Sequence, residues 1–353
     1  MESLIEYLWS WTSVDSYSYV ELAMVGVVGA IVVQQVVHAV MGGISGDVVD
    51  VGGKHVVITG GSEGMGLSFA KLAVGAGASV TIIGRSQAKL DAAVGVLEAE
   101  ASACGSSGFV HGVSADVTSP SAVASAFASA EAASPVALLV ANAGYSATGY
   151  FLDLEEKDFV RSMDVNYHGV VRSVKAVVPA MLARREGHVA IISSAMALCG
   201  MLGFTAYAPT KWALRGFADS VRQELAPFGV GVSICYPSDV ATPGFDVENE
   251  TKPPETAAMS ESAELLTPDQ AAQVMWTRIL KGEYHIGTET GIDLLSYPMA
   301  AMSPRSNPVA AVLLSPIVSI ITWFIAREWD GIVVKGARDG RDDIRRHISP
   351  MME

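Results

Sequence analysis

Metal-binding patterns are missing from this chain. Its seven histidines never fall in HxxxH or HExxH spacing, so neither a structural nor a catalytic metal is expected. Cysteine is equally sparse. Cys104, Cys199 and Cys235 are far apart, odd in number and form no CxxC, which points to a reduced compartment such as the cytosol. Positive charge is also short, with 23 Lys and Arg against 37 Asp and Glu and a net charge of −14. No basic tract lies in the body of the chain, so the electrostatic footprint of a nucleic-acid binder is absent. There is no internal repeat.

Apolar residues, by contrast, make up half of the 353, and the mean hydropathy is +0.36. The excess is concentrated near both ends. Residues 22–41 (LAMVGVVGAIVVQQVVHAVM) are long enough to cross a bilayer as a helix. They lack a positive leader and an obvious small-x-small cleavage site, which favours an uncleaved anchor over a signal peptide. Residues 308–326 (PVAAVLLSPIVSIITWFIA) form a second candidate, interrupted by Pro316, where a kink or a re-entrant hairpin is expected. The competing reading is a helix packed on the domain or in a dimer interface. Arg327, Lys335, Arg338, Arg341, Arg345 and Arg346 follow it and put that flank on the cytoplasmic side.

Between these ends, short β-branched runs alternate with helical patterns. HVVITG (55–60), SVTIIG (79–84), FVHGV (109–113), ALLVANAG (137–144), HVAIISS (188–194) and GVSICYP (231–237) read as strands, with YHIGT closing the series. The segments between them read as helices, including a long one from about Glu155 to Arg185 and another from about Ala206 to Ala226. This rhythm predicts an α/β fold, a doubly wound and mostly parallel sheet covered on both faces. The acidic, proline-rich stretch Phe245 to Leu266 reads as a mobile loop or short helix beside the site.

The first strand runs into Thr59-Gly60-Gly61-Ser62-Glu63-Gly64-Met65-Gly66, a TGxxxGxG turn. Glycines between strand and helix let the backbone approach a pyrophosphate, whose charge the helix N-terminus favours. The second strand ends in Gly84-Arg85 with no acid, and Lys89 follows. Arg85 and Lys89, with the Ser62 hydroxyl, suit a ribose 2′-phosphate, and so NADP over NAD. Asp116 follows the third strand, Asn142 ends the fourth, and Asn166 lies mid-helix, where it needs a polar partner. Ser194 stands thirteen residues before Tyr207, and Lys211 four after it. On one helix, Tyr207 and Lys211 share a face, and the ammonium is expected to ease ionisation of the phenol. Ser194 would hold an oxygen that gains charge.

In this order and spacing, these residues resemble the short-chain dehydrogenase/reductase family over about residues 54–290. The resemblance implies a Rossmann-like sheet and a relay of Asn166, Ser194, Tyr207 and Lys211. In it Tyr207 passes a proton to the substrate oxygen while the nicotinamide passes a hydride to carbon. Lys211 lowers the Tyr207 pKa and grips the nicotinamide ribose, and Asn166 positions a water linking Lys211 to solvent. It further implies NADP(H) contacts at Gly60, Ser62, Glu63, Gly64, Gly66, Arg85, Lys89, Asp116, Asn142, Tyr207, Lys211, Val240 and Thr242. Glu63 departs from the serine common there.

Three runs, YPSDVATPGFDVENETKPPET, FTAYAPTKWALRGFADSVRQEL and LLTPDQAAQVMWTRILKGEYHI, are similar to one branch, the 3-ketodihydrosphingosine reductases. That similarity implies NADPH-dependent reduction of a long-chain keto-sphingoid lipid at the endoplasmic reticulum membrane, with the catalytic domain toward the cytosol. The acidic 246–264 segment is expected to attract the cationic amine of such a substrate. The expected layout is an anchor and linker at 1–53, the NADP-binding reductase domain at 54–305, and an apolar segment with a charged tail at 306–353. Retinol, steroid and 3-ketoacyl reductases share the relay, and a non-catalytic NADP-binding scaffold is the alternative outside enzymes. Oligomeric state stays open, a homo-oligomer included.

Overall fold

The computed structural model describes residues 48–260, 264–299, 303 and 308–338. The expected anchor at 22–41 and the charged tail beyond 338 lie outside the described residues. Seven strands form one parallel sheet: β1 (His55–Thr59), β2 (Ser79–Gly84), β3 (Val110–Ser114), β4 (Val136–Ala141), β5 (Gly187–Ile192), β6 (Val230–Tyr236) and β7 (His285–Gly287). Their spatial order is β3-β2-β1-β4-β5-β6-β7. The chain therefore winds outward from β1 in one direction, then restarts at β4 in the other, and the crevice between these strand ends is where such sheets bind ligands.

Near-continuous apolar strands are what a sheet covered on both faces requires. Val56 and Ile58 face one core with Phe69 of α1 (Gly64–Gly75), Leu90 and Leu97 of α2 (Gln87–Cys104). Val57, between them, faces the other core with Phe127 of α3 (Pro120–Ala133). Helix starts follow their caps. Ser86 accepts from Lys89 N at the head of α2, and Ser119 accepts from Ala122 N before the proline that opens α3.

The long helix expected over 155–185 is three pieces. α4 (Glu156–Met163) runs into a π turn at Asp164–His168, and α5 (Gly169–Arg184) continues from it. The Tyr/Lys helix, α6, spans Ala208–Leu225, with Tyr207 at its cap position. The acidic stretch after β6 is helical, forming α7 (Pro243–Thr251) and α8 (Pro254–Ser260). α9 (Pro268–Leu280) opens on a capping box of Thr267 and Gln270. α10 (Thr290–Met299) follows β7.

The hairpin expected at Pro316 does not form. α11 runs unbroken from Pro308 to Arg338. Ala310, Ala311, Leu314 and Val318 flank the proline on one face and pack against Leu294 and Tyr297 of α10. A helix-interior proline costs about 3 kcal/mol. Burying Leu314 and Val318 alone offsets that, at roughly 1.5–3 kcal/mol each. The helix is kept continuous by what it packs on, and that packing crosses the boundary expected at 305.

Candidate active site

The glycine turn lies at the sheet's turning point. Gly60 has φ +67, and a Cβ there would meet Ala143 Cα at 2.9 Å. Gly66 sits behind the turn, where a Cβ would run into the Gly60 carbonyl, so its part is to let α1 close on β1. Asn142 braces the same turn from β4, its amide donating to the Thr59 and Gly60 carbonyls at 3.2 Å each. Thr59 Oγ1 in return accepts from Asn142 N and Ala143 N, both at 3.1 Å.

Ser62, Glu63, Gly64, Arg85, Asp116, Val240 and Thr242 line one cavity with this turn. Asp116 is locked in a turn, Oδ1 accepting from Thr118 N (2.9 Å) and Oγ1 (2.8 Å). Burial acts to raise its pKa, but these bonds and the Arg85 and Arg161 charges hold it below the ordinary carboxylate value. Thr242 caps α7, accepting from Phe245 N, and Val240 bridges to Leu266. Lys89 is turned to the rim, where it donates to Glu63 Oε2 at 2.7 Å.

Deeper in the cavity, β5 delivers Ser194 and α6 delivers Tyr207 and Lys211. The Ser194 hydroxyl accepts from Met196 N at 3.2 Å and lies close enough to the Tyr207 phenol to act on its ionisation. Lys211 Nζ lies 5.4 Å from the Tyr207 ring centroid and donates to Ile192 O at 3.3 Å. Asn166, in the π turn, is fully buried. Its Oδ1 accepts from Tyr145 N (2.8 Å), and its Nδ2 donates to Tyr145 O (2.8 Å) and Thr210 Oγ1 (3.0 Å). Both amide protons are thus committed to protein. Thr210 and Tyr145, unremarked in the sequence, tie Asn166 to α6 and to the loop after β4.

The electrostatics differ from the expectation. Burial drives the Tyr207 phenol well above its ordinary value; Glu248 and Asp239 push the same way, and only the Ser194 hydroxyl pulls it back. Lys211 is itself desolvated, its pKa lowered to about 8. The ammonium does not offset the desolvation of the phenol, so Tyr207 keeps its proton until negative charge develops on a partner oxygen.

The family model described as "short chain dehydrogenase" matches residues 54–253. The chain is 36% identical over 290 residues to a 3-dehydrosphinganine reductase of Danio rerio, covering 80% of this chain and 86% of that one. It is 31% identical over 355 residues to a 3-ketodihydrosphingosine reductase of Neurospora crassa, covering 96% and 95%. Among solved structures, a short chain dehydrogenase/reductase from Burkholderia phymatum in complex with NAD is 25% identical with TM-score 0.61, over 69% of this chain and 91% of that one. A short-chain dehydrogenase from Sphingobium yanoikuyae in complex with NADPH has TM-score 0.60 at 22% identity, over 67% and 88%.

This chain belongs to the short-chain dehydrogenase family. The family is one of oxidoreductases that use nicotinamide cofactors, and the cavity fits one. The Gly60 position admits no side chain, which leaves backbone facing the groove where a pyrophosphate needs it. Two features of this short-chain dehydrogenase escaped the sequence reading. Asp239, just after β6, is a half-buried carboxylate in the cavity with no side-chain partner among the described residues. Two of the acids expected to attract a cation are engaged: Glu248 pairs with Lys252 at 3.0 Å, and Glu255 accepts from the Tyr150 hydroxyl at 2.7 Å. The cavity, about 1420 Å³, also extends to α11. The one available signal was Asp239 itself, an acid at the carboxyl end of a strand.

Proposed function

We propose that this chain reduces the C3 ketone of 3-ketosphinganine to sphinganine with NADPH. The observation that carries the reading is the convergence of Ser194, Tyr207 and Lys211 on one cavity, in a chain whose curated relatives bear that activity in their names. Arg85 and Ser62 would hold the 2′-phosphate, the Gly60–Gly64 backbone the pyrophosphate, and Lys211 the nicotinamide ribose. NADPH, when bound, supplies the hydride that the carbonyl carbon receives.

Ser194 and Tyr207 both donate to the ketone oxygen. As that oxygen gains charge, the Tyr207 proton crosses to it, and the raised pKa of the buried phenol keeps the proton in place until then. The phenolate left behind is stabilised by the Lys211 ammonium and regains its proton from solvent. Asn166 fixes the loop at Tyr145 and the start of α6, which keeps Tyr207 and Lys211 in register. Asp239 is the carboxylate suited to the 2-ammonium group of the substrate.

Residence in the endoplasmic reticulum membrane with the catalytic domain toward the cytosol completes the reading. Ala310–Gly336 is the one helix among the described residues long and apolar enough to cross a bilayer. The test is full-length protein with NADPH and 3-ketosphinganine, following NADPH loss and sphinganine by mass spectrometry. A Tyr207→Phe variant is expected to lose about 10²–10⁴-fold. An unchanged rate in that variant, or turnover of retinal, steroid or 3-ketoacyl substrates but not 3-ketosphinganine, sinks it.

A further inference from the structure

The cavity that starts at the glycine turn does not end at Tyr207. Beyond the phenol its walls change from polar to apolar: Met201 and Phe204, then Met259 of α8, Leu295 of α10, and finally α11. Its volume, about 1420 Å³, exceeds the ~300–1,000 Å³ of an ordinary small-molecule pocket. It has room for a dinucleotide and a second, elongated ligand.

α11 shows what kind of ligand. The face that packs on α10 through Leu314 and Val318 is continued, at helical spacing, by Ile321, Ile325, Trp329 and Ile332. In this second half the same face borders the cavity. The stretch from Val318 to Ile332 is about 20 Å long. Ser319 and Thr322 also line the wall, but their hydroxyls are satisfied within the helix: Ser319 Oγ donates to Ser315 O at 2.7 Å, and Thr322 Oγ1 to Ser319 O at 3.1 Å. Glu328 is the charged residue that α11 contributes to the wall. The adjoining face, about 100° round the helix, carries Leu313, Ile317, Ile320 and Phe324, which like Ile325 are exposed. Trp323 stands there under the Arg327 guanidinium, 5.3 Å from its ring centroid, the pairing of side chains that sits at a membrane–water interface.

We infer that the apolar end of the cavity, walled by α8, α10 and α11, seats the long alkyl chain of the ketone substrate. α11 is then a partition, with one face against the bilayer and the other against the chain of a lipid that has left it. This deepens the functional reading above and rests on it for the identity of the ketone. A chain in this seat exchanges one apolar surround for another, so entry from the membrane costs little, and the ketone is delivered to Ser194 and Tyr207 at the polar end.

The test compares kcat/KM for two 2-amino-3-ketones, one with a long chain and one with a short chain, on full-length protein in detergent. Ile325→Trp narrows the seat and is expected to lower the long-to-short ratio about tenfold, the equivalent of two displaced methylenes. Ile320→Trp, on the outer face, leaves the ratio as in the wild type. Equal losses for both ketones, or no change in the ratio, overturn the seat. Photolabelling with a long-chain alkyl ketone bearing a terminal diazirine needs no turnover and no folded variant. Saturable labels at Ile325, Trp329 or Ile332 support the seat, and labels confined to the outer face overturn it. Wild-type protein that reduces neither ketone but is labelled inside would refute the reaction and leave the seat standing.

Discussion

Lys89 donates to Glu63 at 2.7 Å across the rim of the cofactor groove, with both side chains about half exposed. Such a pair is worth little, ~0.2–1 kcal/mol, and it yields when a stronger anion arrives. It nevertheless puts a carboxylate beside the place where a 2′-phosphate is expected. Glu63→Ser removes that charge and frees Lys89. NADPH should bind roughly threefold more tightly and NADH about as before, as read by fluorescence titration at low and high salt. A loss of NADH affinity would mean that Glu63 serves a ribose hydroxyl instead.

Asp239 offers a second, sharper measurement. Burial raises its pKa, and only the Lys252 charge opposes that, so this carboxylate gains from a cationic ligand. Asp239→Asn should cut the preference for a 2-amino ketone over the same ketone without the amine by about 10–100-fold, the range for a charge-assisted hydrogen bond. Steady-state kinetics on the two substrates decide it; an unchanged preference places amine recognition elsewhere.

Lys211, with its pKa lowered to about 8 by burial, predicts an alkaline limb. The active form is the ammonium, so kcat/KM should fall as pH rises through about 8. Arginine keeps its charge there. Lys211→Arg should therefore be slower at every pH yet lose the limb, which a pH–rate profile of the free enzyme reveals.

Acid stability depends in part on His188, one of three buried histidines whose pKa burial lowers. Its Nε2 lies 2.8 Å from Ser233 Oγ, whose proton goes to Glu283 O at 2.6 Å, so Nε2 carries the hydrogen and Nδ1 is bare. Nδ1 is pressed against Gly231, where a Cβ would collide with it, and burial lowers the pKa to about 4. Between about pH 6.5 and 4 the unfolded chain takes up a proton that the folded chain refuses. Stability is complete above this window and falls as pH drops through it, by roughly 3 kcal/mol at the lower end. His188→Gln should flatten the fall in Tm between pH 7 and pH 5.

The strands were legible almost to the residue, because parallel strands covered on both faces leave β-branched runs such as HVVIT with no polar interruption. Ser194, Tyr207 and Lys211 were legible because their spacing survives in one dimension. The π turn was not: DVNYH carries no composition that separates it from an α-helix. Nor was the sign of the Tyr207 shift, since the spacing announces Lys211 but not the burial that outweighs it. The path of α11 through Pro316 depends on Leu294 and Tyr297, whose contacts no local rule reports.

The π turn at Asp164–His168 has one more consequence. It adds a residue beyond what the helical pitch needs, and deleting one residue there would heal the helix. The cost would be a rotation of everything after it by about 100°. Val170, Val174, Val177 and Met181 would then swing off the sheet they now cover, while Asn166 lost its line to Thr210. The surplus residue acts as a phase shift, allowing one continuous rod to aim an amide at the chemistry and, about one turn later, a greasy stripe at the core.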